Sequence, residues 1–243
     1  MAAGAILTTE SVSVASLVSV IVPVFNESAT VGAVIDRLLT IDFPAEIEII
    51  VVNDGSSDGT RDVLASLEGT PRLRIIHADR NRGKGHAIRL GLEHARGGVI
   101  AIQDADLELD PAQLGRLVEP LLRGEADVVY GSRFLGPRPD APWLTLAANR
   151  VLTSLTNILY GSSITDMETC YKIMRSSVAR GLGLTADRFD IEPEITARLL
   201  RGGHRIVEQP VSFNPRSRAA GKKIGWRDGI AAIRVLFRHR FSA

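Results

Sequence analysis

Unbroken apolar stretches alternate along this chain with segments whose apolar positions recur every three or four residues. Residues 17–25 form the first stretch, as expected of a strand buried on both faces, with Pro23 near its end. Asn26, Glu27 and Ser28 follow, and then Val31, Val34, Ile35, Leu38 and Leu39 at helical spacing. Pro44 separates that helix from a second apolar run at 47–52, which ends in a loop rich in Asp, Gly and Ser at 53–60. A third unit repeats the plan with a short strand at 73–77, a loop at 81–85 and a helix from His86 to about Ala95. The fourth strand, at 99–102, stops against Asp104, Asp106, Glu108 and Asp110. Strand, loop and helix thus succeed one another with polar loops at the carboxyl ends of the strands. This predicts an α/β architecture, a Rossmann-like, mostly parallel sheet flanked by helices. Ligands of such sheets bind beyond those ends, so the polar clusters at 26–28, 53–58, 81–85 and 104–108 are expected to converge on one edge.

The second half is less regular. A helix is expected near 111–123, with Asp110 as its N-cap and Pro111 at its first position. A strand and turn follow from Asp127 to Phe134, then a loop marked by Pro137, Pro139 and Pro142. Trp143 to Tyr160 reads as a helix, with Arg150, Ser154 and Asn157 near one face. A strand is expected within 166–175, a helix from Asp190 to Gly202 and Gly203, and a last strand at 205–211. Trp226, Ile230, Ile233 and Phe237 then form one apolar stripe on an amphipathic C-terminal helix that also carries Arg227, Arg234, Arg238 and Arg240. Two placements satisfy that pattern: a helix lying on an anionic membrane, or one packed on the domain with its basic residues in water. The expected division is a loose tail at 1–15, one domain at 16–215 and a basic segment at 216–243.

Charge and composition narrow the partners. Residues 216–243 carry eight Lys or Arg against the single acid Asp228, a net of +7, which leaves −6 on residues 1–215 of a chain whose total is +1. A basic end on an acidic body points to an anionic partner. Nucleic acid is not expected, because the basic segment lacks interleaved stacking aromatics. Apolar residues make up 45% and charged residues 23% of the 243, as in a folded globular chain with a sizeable core. The lone cysteine, Cys170, excludes an intrachain disulfide framework and fits a reducing compartment. No run of 18 apolar residues exists, so no membrane span is expected, and the N-terminus lacks the basic start of a signal peptide.

The acids after the fourth strand carry the clearest chemistry. In an extended chain, side chains two apart share a side, so Asp104, Asp106 and Glu108 could aim oxygen ligands at one point. Mg²⁺ or Mn²⁺ accepts such ligands and keeps positions open for phosphate oxygens. The first strand–helix turn has no G-x-G-x-x-G, and Gly83-Lys84-Gly85-His86 lacks the features of a P-loop. Lys84 still offers a point charge to phosphate, with flanking glycines that let backbone approach.

Five segments in order resemble the family 2 inverting glycosyltransferases of the GT-A fold: residues 20–27, 51–60, 81–87, the Asp104-Ala105-Asp106 triplet and 131–134. Within that family the chain looks most like the polyprenyl- and dolichyl-phosphate hexose synthases, including the mannose and glucose synthases. The resemblance implies transfer of a hexose from GDP-mannose or UDP-glucose to a polyprenyl phosphate, with Mg²⁺ or Mn²⁺ as cofactor. It implies donor contacts from Pro23, Asn26, Glu27, Asp54, Lys84, Asp104, Ala105 and Asp106. Metal ligation would fall to Asp106 and Glu108 with Asp104, and the acceptor phosphate to Arg133, Arg150, Ser154, Arg216 and Arg218. Asp104, Asp106 and Arg133 would act in catalysis, and Asp190 and Glu192 resemble the acids that serve as base where the acceptor is a hydroxyl. The place implied is the cytoplasm, peripheral on the inner face of the membrane. A family 2 enzyme acting on a soluble or cell-envelope hydroxyl is the alternative.

Overall fold

The computed structural model describes residues 17–136, 139, 141–216 and 225–242. Four strands and three helices build the first half: β1 (Leu17–Val24), α1 (Val31–Thr40), β2 (Glu46–Asn53), α2 (Thr60–Ala65), β3 (Leu73–His77), α3 (Lys84–His94) and β4 (Val99–Ile102). These four strands pair in parallel in the order β3-β2-β1-β4. β1 and β2 are buried along nearly their whole length, which is why their sequences are continuous rather than alternating.

The second half comprises α4 (Leu114–Leu122), β5 (Val128–Ser132), α5 (Trp143–Tyr160), β6 (Lys172–Arg175), α6 (Ser176–Gly181), α7 (Ile191–Arg201), β7 (Ile206–Pro210) and α8 (Trp226–Phe241). β6 enters between β4 and β5 and runs antiparallel to both, while β7 pairs in parallel with β5. The result is a seven-stranded, mostly parallel sheet flanked by helices, as the apolar pattern predicts. Asp110 caps the turn before α4, its carboxylate accepting from Ala112 N at 3.1 Å with Pro111 next in the chain. The strand expected within 166–175 is confined to its last four residues, because 166–171 serve as a buried connection instead.

Of the two placements read from the sequence, packing on the domain is observed for one face of the C-terminal helix. α8 packs against α5 and α7 through Ala232, Val235, Leu236 and His239, all buried. Tyr160 donates from its hydroxyl to Leu236 O at 2.7 Å, and Arg240 Nε donates to Leu159 O at 2.7 Å. The stripe picked out by spacing is the other one, since Ile230, Ile233 and Phe237 remain 38–43% exposed. Trp226, also on that stripe, has a side chain outside the described set.

Candidate active site

Strand order reverses between β1 and β4: the chain winds outward from β1 to β2 and β3, then returns to β4 on its other side. Loops leaving the carboxyl ends of β1 and β4 therefore diverge and open a crevice. A cavity of about 290 Å³ lies there. Pro23 and Glu27 reach it from β1, Asp54 from β2, Asn81, Gly83 and Lys84 from the β3 loop, and Asp104, Ala105, Asp106 and Glu108 from β4. The polar clusters converge as expected.

Their carboxylates do not point at one place. β4 ends at Ile102, and Leu107 adopts φ +61°, the left-handed region that a branched side chain seldom occupies. The extended geometry needed to align Asp104, Asp106 and Glu108 is thus broken, and the three acids divide between two cations. Among the described residues, no three groups of metal-ligand type are gathered around a common point.

Asp104 belongs to the first cation. Lys84 Nζ lies 2.8 Å from its Oδ1 and 2.8 Å from Glu192 Oε1. Glu192 continues to Lys172, whose Nζ is 2.6 Å from Oε2 and also donates to the carbonyls of Met167 and Thr169. Burial works against charge on Lys84, but Asp104 foremost and Glu192 hold its pKa well above the ordinary lysine value. Burial would likewise raise Asp104, yet Lys84 keeps it below the usual carboxylate range. Gly83 and Gly85 frame this lysine. Gly83 has φ +114°, and a Cβ there would lie 2.5 Å from Asp187 O, while one on Gly85 would collide with Ala186 O. The two glycines let the loop press against residues 186–188. Asp54 fixes the same loop, accepting from Gly83 N at 2.6 Å and Arg82 N at 3.0 Å.

Asp106 and Glu108 face the second cation, Arg216. Its guanidinium donates to Glu27 Oε2 at 2.8 Å and Oε1 at 3.1 Å, and to Asp106 Oδ2 at 2.9 Å, while its backbone N–H donates to Glu108 Oε1 at 2.7 Å. Even so, burial, with Asp104 and Glu108 adding repulsion, pushes Asp106 up to about 7. This corner has more negative charge than one guanidinium neutralises.

Arg133 lines the cavity, but its fork is closed on buried Asp166, with Nε and Nη2 each 2.7 Å from a carboxylate oxygen and its face over the Phe213 ring. Several expected residues lie elsewhere. Asn26 braces the turn after β2, accepting from Ser57 N at 2.8 Å. Asp190 precedes α7 and accepts from Arg188 N at 3.1 Å, and it does not line the cavity that Glu192 does. The faces that Arg150 and Ser154 occupy on α5 are exposed, with Arg150 over the Phe134 ring. Asn157 serves the connection after α5, bonding both backbone groups of Ile164. Arg218 lies outside the described residues. Conversely, Glu168, Cys170, Arg188, Phe189 and Phe213 line the cavity without having been singled out. One signal existed: Glu168 stands two residues after Asp166, the same spacing of acids as at 104 and 106.

A crevice at the strand-order reversal, lined by acids and by a buried lysine, is where this sheet type handles charged ligands. The model of the family described as "Glycosyl transferase family 2" matches residues 19–183, most of the sheet and all four loops just described. The chain belongs to that family. It is 30% identical over 208 residues to the dodecaprenyl-phosphate galacturonate synthase of Rhizobium johnstonii, covering 84% of this chain and 61% of that protein. It is 31% identical over 228 residues to the undecaprenyl-phosphate mannosyltransferase of Micrococcus luteus, covering 88% of this chain and 90% of that one. In fold it is similar to glucosyl-3-phosphoglycerate synthase of Mycobacterium tuberculosis, solved with Mn²⁺, UDP and phosphoglyceric acid. The TM-score is 0.72 at 19% identity, over 94% of this chain and 80% of that one. The GT-A architecture read from the sequence is the one observed.

Proposed function

We propose that this protein transfers a hexose from a nucleoside diphosphate sugar to a polyprenyl phosphate, with inversion at the anomeric carbon. The observation that carries the reading is the pairing of two cation-centred clusters, Lys84–Asp104–Glu192 and Arg216–Glu27–Asp106–Glu108, on the walls of one crevice. The relatives' lipid-phosphate acceptors support the acceptor class, and their different sugars, galacturonate and mannose, leave GDP-mannose and UDP-glucose as donors to be tested side by side.

The residues fit a divalent cation. Glu27 and Asp106 meet the Arg216 guanidinium and Glu108 its backbone N–H, and burial with repulsion from Asp104 and Glu108 still raises Asp106 to about 7. Asp106 and Glu108 would hold Mg²⁺ or Mn²⁺, with Asp104 nearby. When bound, the metal supplies charge to the leaving diphosphate. Lys84, kept protonated by Asp104 and Glu192, stands ready as a fixed positive charge for the same developing anion. Asp54, by holding the backbone of residues 82 and 83, positions Lys84. Arg133, oriented by Asp166, is assigned to the acceptor phosphate.

A lipid phosphate is already an anion at neutral pH and needs no strong base. That matters here, since Glu192 is held between two lysines and Asp190 lies off the cavity, so neither acid anticipated as a base is placed to act as one. A hydroxyl acceptor is therefore the second reading. Membrane contact fits the surface. Leu144, Val151 and Ile158 form an exposed apolar line along α5, Ile230, Ile233, Phe237 and Phe241 are exposed on α8, which packs against α5, and Arg150 and the α8 arginines add positive charge. We assign this face to an anionic bilayer, which brings the acceptor to the protein. Among the described residues no helix is long and apolar enough to cross a membrane. Radiolabelled transfer from the two donors to a short polyprenyl phosphate, with product extracted into organic solvent, tests the proposal.

A further inference from the structure

We propose that Glu168, with Phe189 and Phe213, forms the seat of the transferred sugar ring, and that the Glu168 carboxylate accepts a hydrogen bond from a ring hydroxyl and so selects the sugar. The inference rests on the nucleotide-sugar reading. Glu168 lines the same cavity as Lys84, Asp104 and Glu192, and its Oε1 is buried without a hydrogen-bond partner among the described residues. Buried acceptors are nearly always satisfied, so an unsatisfied carboxylate oxygen at a cavity wall points to a ligand that donates.

The cations around it are committed elsewhere. Lys172 is spent on Glu192 and the carbonyls of Met167 and Thr169, and Arg133, oriented by Asp166, is the group assigned to the acceptor phosphate. Phosphate oxygens do not donate, and Glu192 and Asp166, whose charges are felt at Glu168, repel an anion. A hydroxyl is therefore the matching partner. Phe189 and Phe213 add apolar surface to the same cavity, which suits the C–H face of a pyranose. Burial, with Glu192 adding to it against Lys172, raises the Glu168 carboxyl to about 7. That is the signature of a charge that lacks compensation until a ligand arrives.

Calorimetric titration tests the assignment, using UDP, GDP, UDP-glucose and GDP-mannose with Mn²⁺ against wild type, Glu168→Ala and Glu168→Gln. All three proteins are expected to fold, with Glu168→Gln the more stable near neutral pH, and to bind the matching nucleoside diphosphate alike. Glu168→Ala should bind the nucleotide sugar about tenfold more weakly or worse, the range of a hydrogen bond to a charged group. Glu168→Gln, which keeps an acceptor oxygen, should recover part of that loss. In a series of donors each lacking one ring hydroxyl, one donor should bind wild type and Glu168→Ala equally. Equal loss of diphosphate and sugar nucleotide, or no loss at all, would overturn the sugar seat while leaving the nucleotide-sugar reading intact. Unchanged donor binding in both variants together with loss of transfer to a hydroxyl acceptor would also overturn it, making Glu168 a base. Wild type that binds none of the four ligands would bring down the underlying reading as well.

Discussion

Arg216 closes the corner of the cavity that the acids of β4 open. Its guanidinium meets Glu27 and Asp106 and its backbone meets Glu108, so it competes with any divalent cation for the same oxygens. Arg216→Ala should therefore tighten Mn²⁺ binding in the absence of donor, measured as free Mn²⁺ by electron paramagnetic resonance. Unchanged or weaker affinity would show that the guanidinium and the metal use different oxygens. Lys172 illustrates the cost of burying charge. It is fully buried against Glu192, and Lys172→Met should lower stability by about 3–5 kcal/mol in urea unfolding, because Glu192 is left under-compensated. Glu168 sets a pH dependence. Its carboxyl titrates near 4.5 when unfolded and about 7 when folded, so the native chain binds more protons between those values. The stabilisation it contributes is full below pH 4.5 and is lost as pH rises through 7. Glu168→Gln should thus gain on wild type from pH 4.5 to 7.5, by on the order of 3 kcal/mol. Much of this scale was legible in the chain: Asp104, Asp106, Glu108 and Lys84 are where their loops imply. The pairings were not, because the chain leaves extended geometry after Ile102 and turns before Asp106, and their partners lie far along the chain at 192 and 216.

Elements in the first half followed from local pattern, since its first two βαβ units pair strands consecutive in sequence. The second half resisted it. β6 is four residues long, runs against its neighbours and is inserted between strands distant in the chain, and α6 is a six-residue helix without a readable period. α8 shows the same difficulty in another form. It carries two apolar stripes, and spacing alone selects the longer one, whereas packing buries the one with Ala232 and Leu236. Leu236→Ala should destabilise by about 2–5 kcal/mol through the cavity it leaves against α5 and α7. Phe237→Ser should change stability by no more than about 0.5 kcal/mol yet weaken sedimentation with phosphatidylglycerol vesicles. If Phe237→Ser pellets like wild type, the exposed face of α8 is not what meets the bilayer.

At the scale of the whole molecule, the sheet order places the β1 and β4 loops on either side of one crevice, and the second half folds back to complete it with Arg133, Glu168, Glu192 and Arg216. Arg216, at the start of the basic C-terminal segment, meets the anionic loops there. The most direct test of this account is transfer itself. Purified protein with Mg²⁺ or Mn²⁺ and a short polyprenyl phosphate is given radiolabelled UDP-glucose or GDP-mannose, with Asp106→Ala as control. The account predicts label in the lipid fraction from one donor, absent in the control. Donor hydrolysis with no lipid product, or lipid product undiminished in Asp106→Ala, would contradict it.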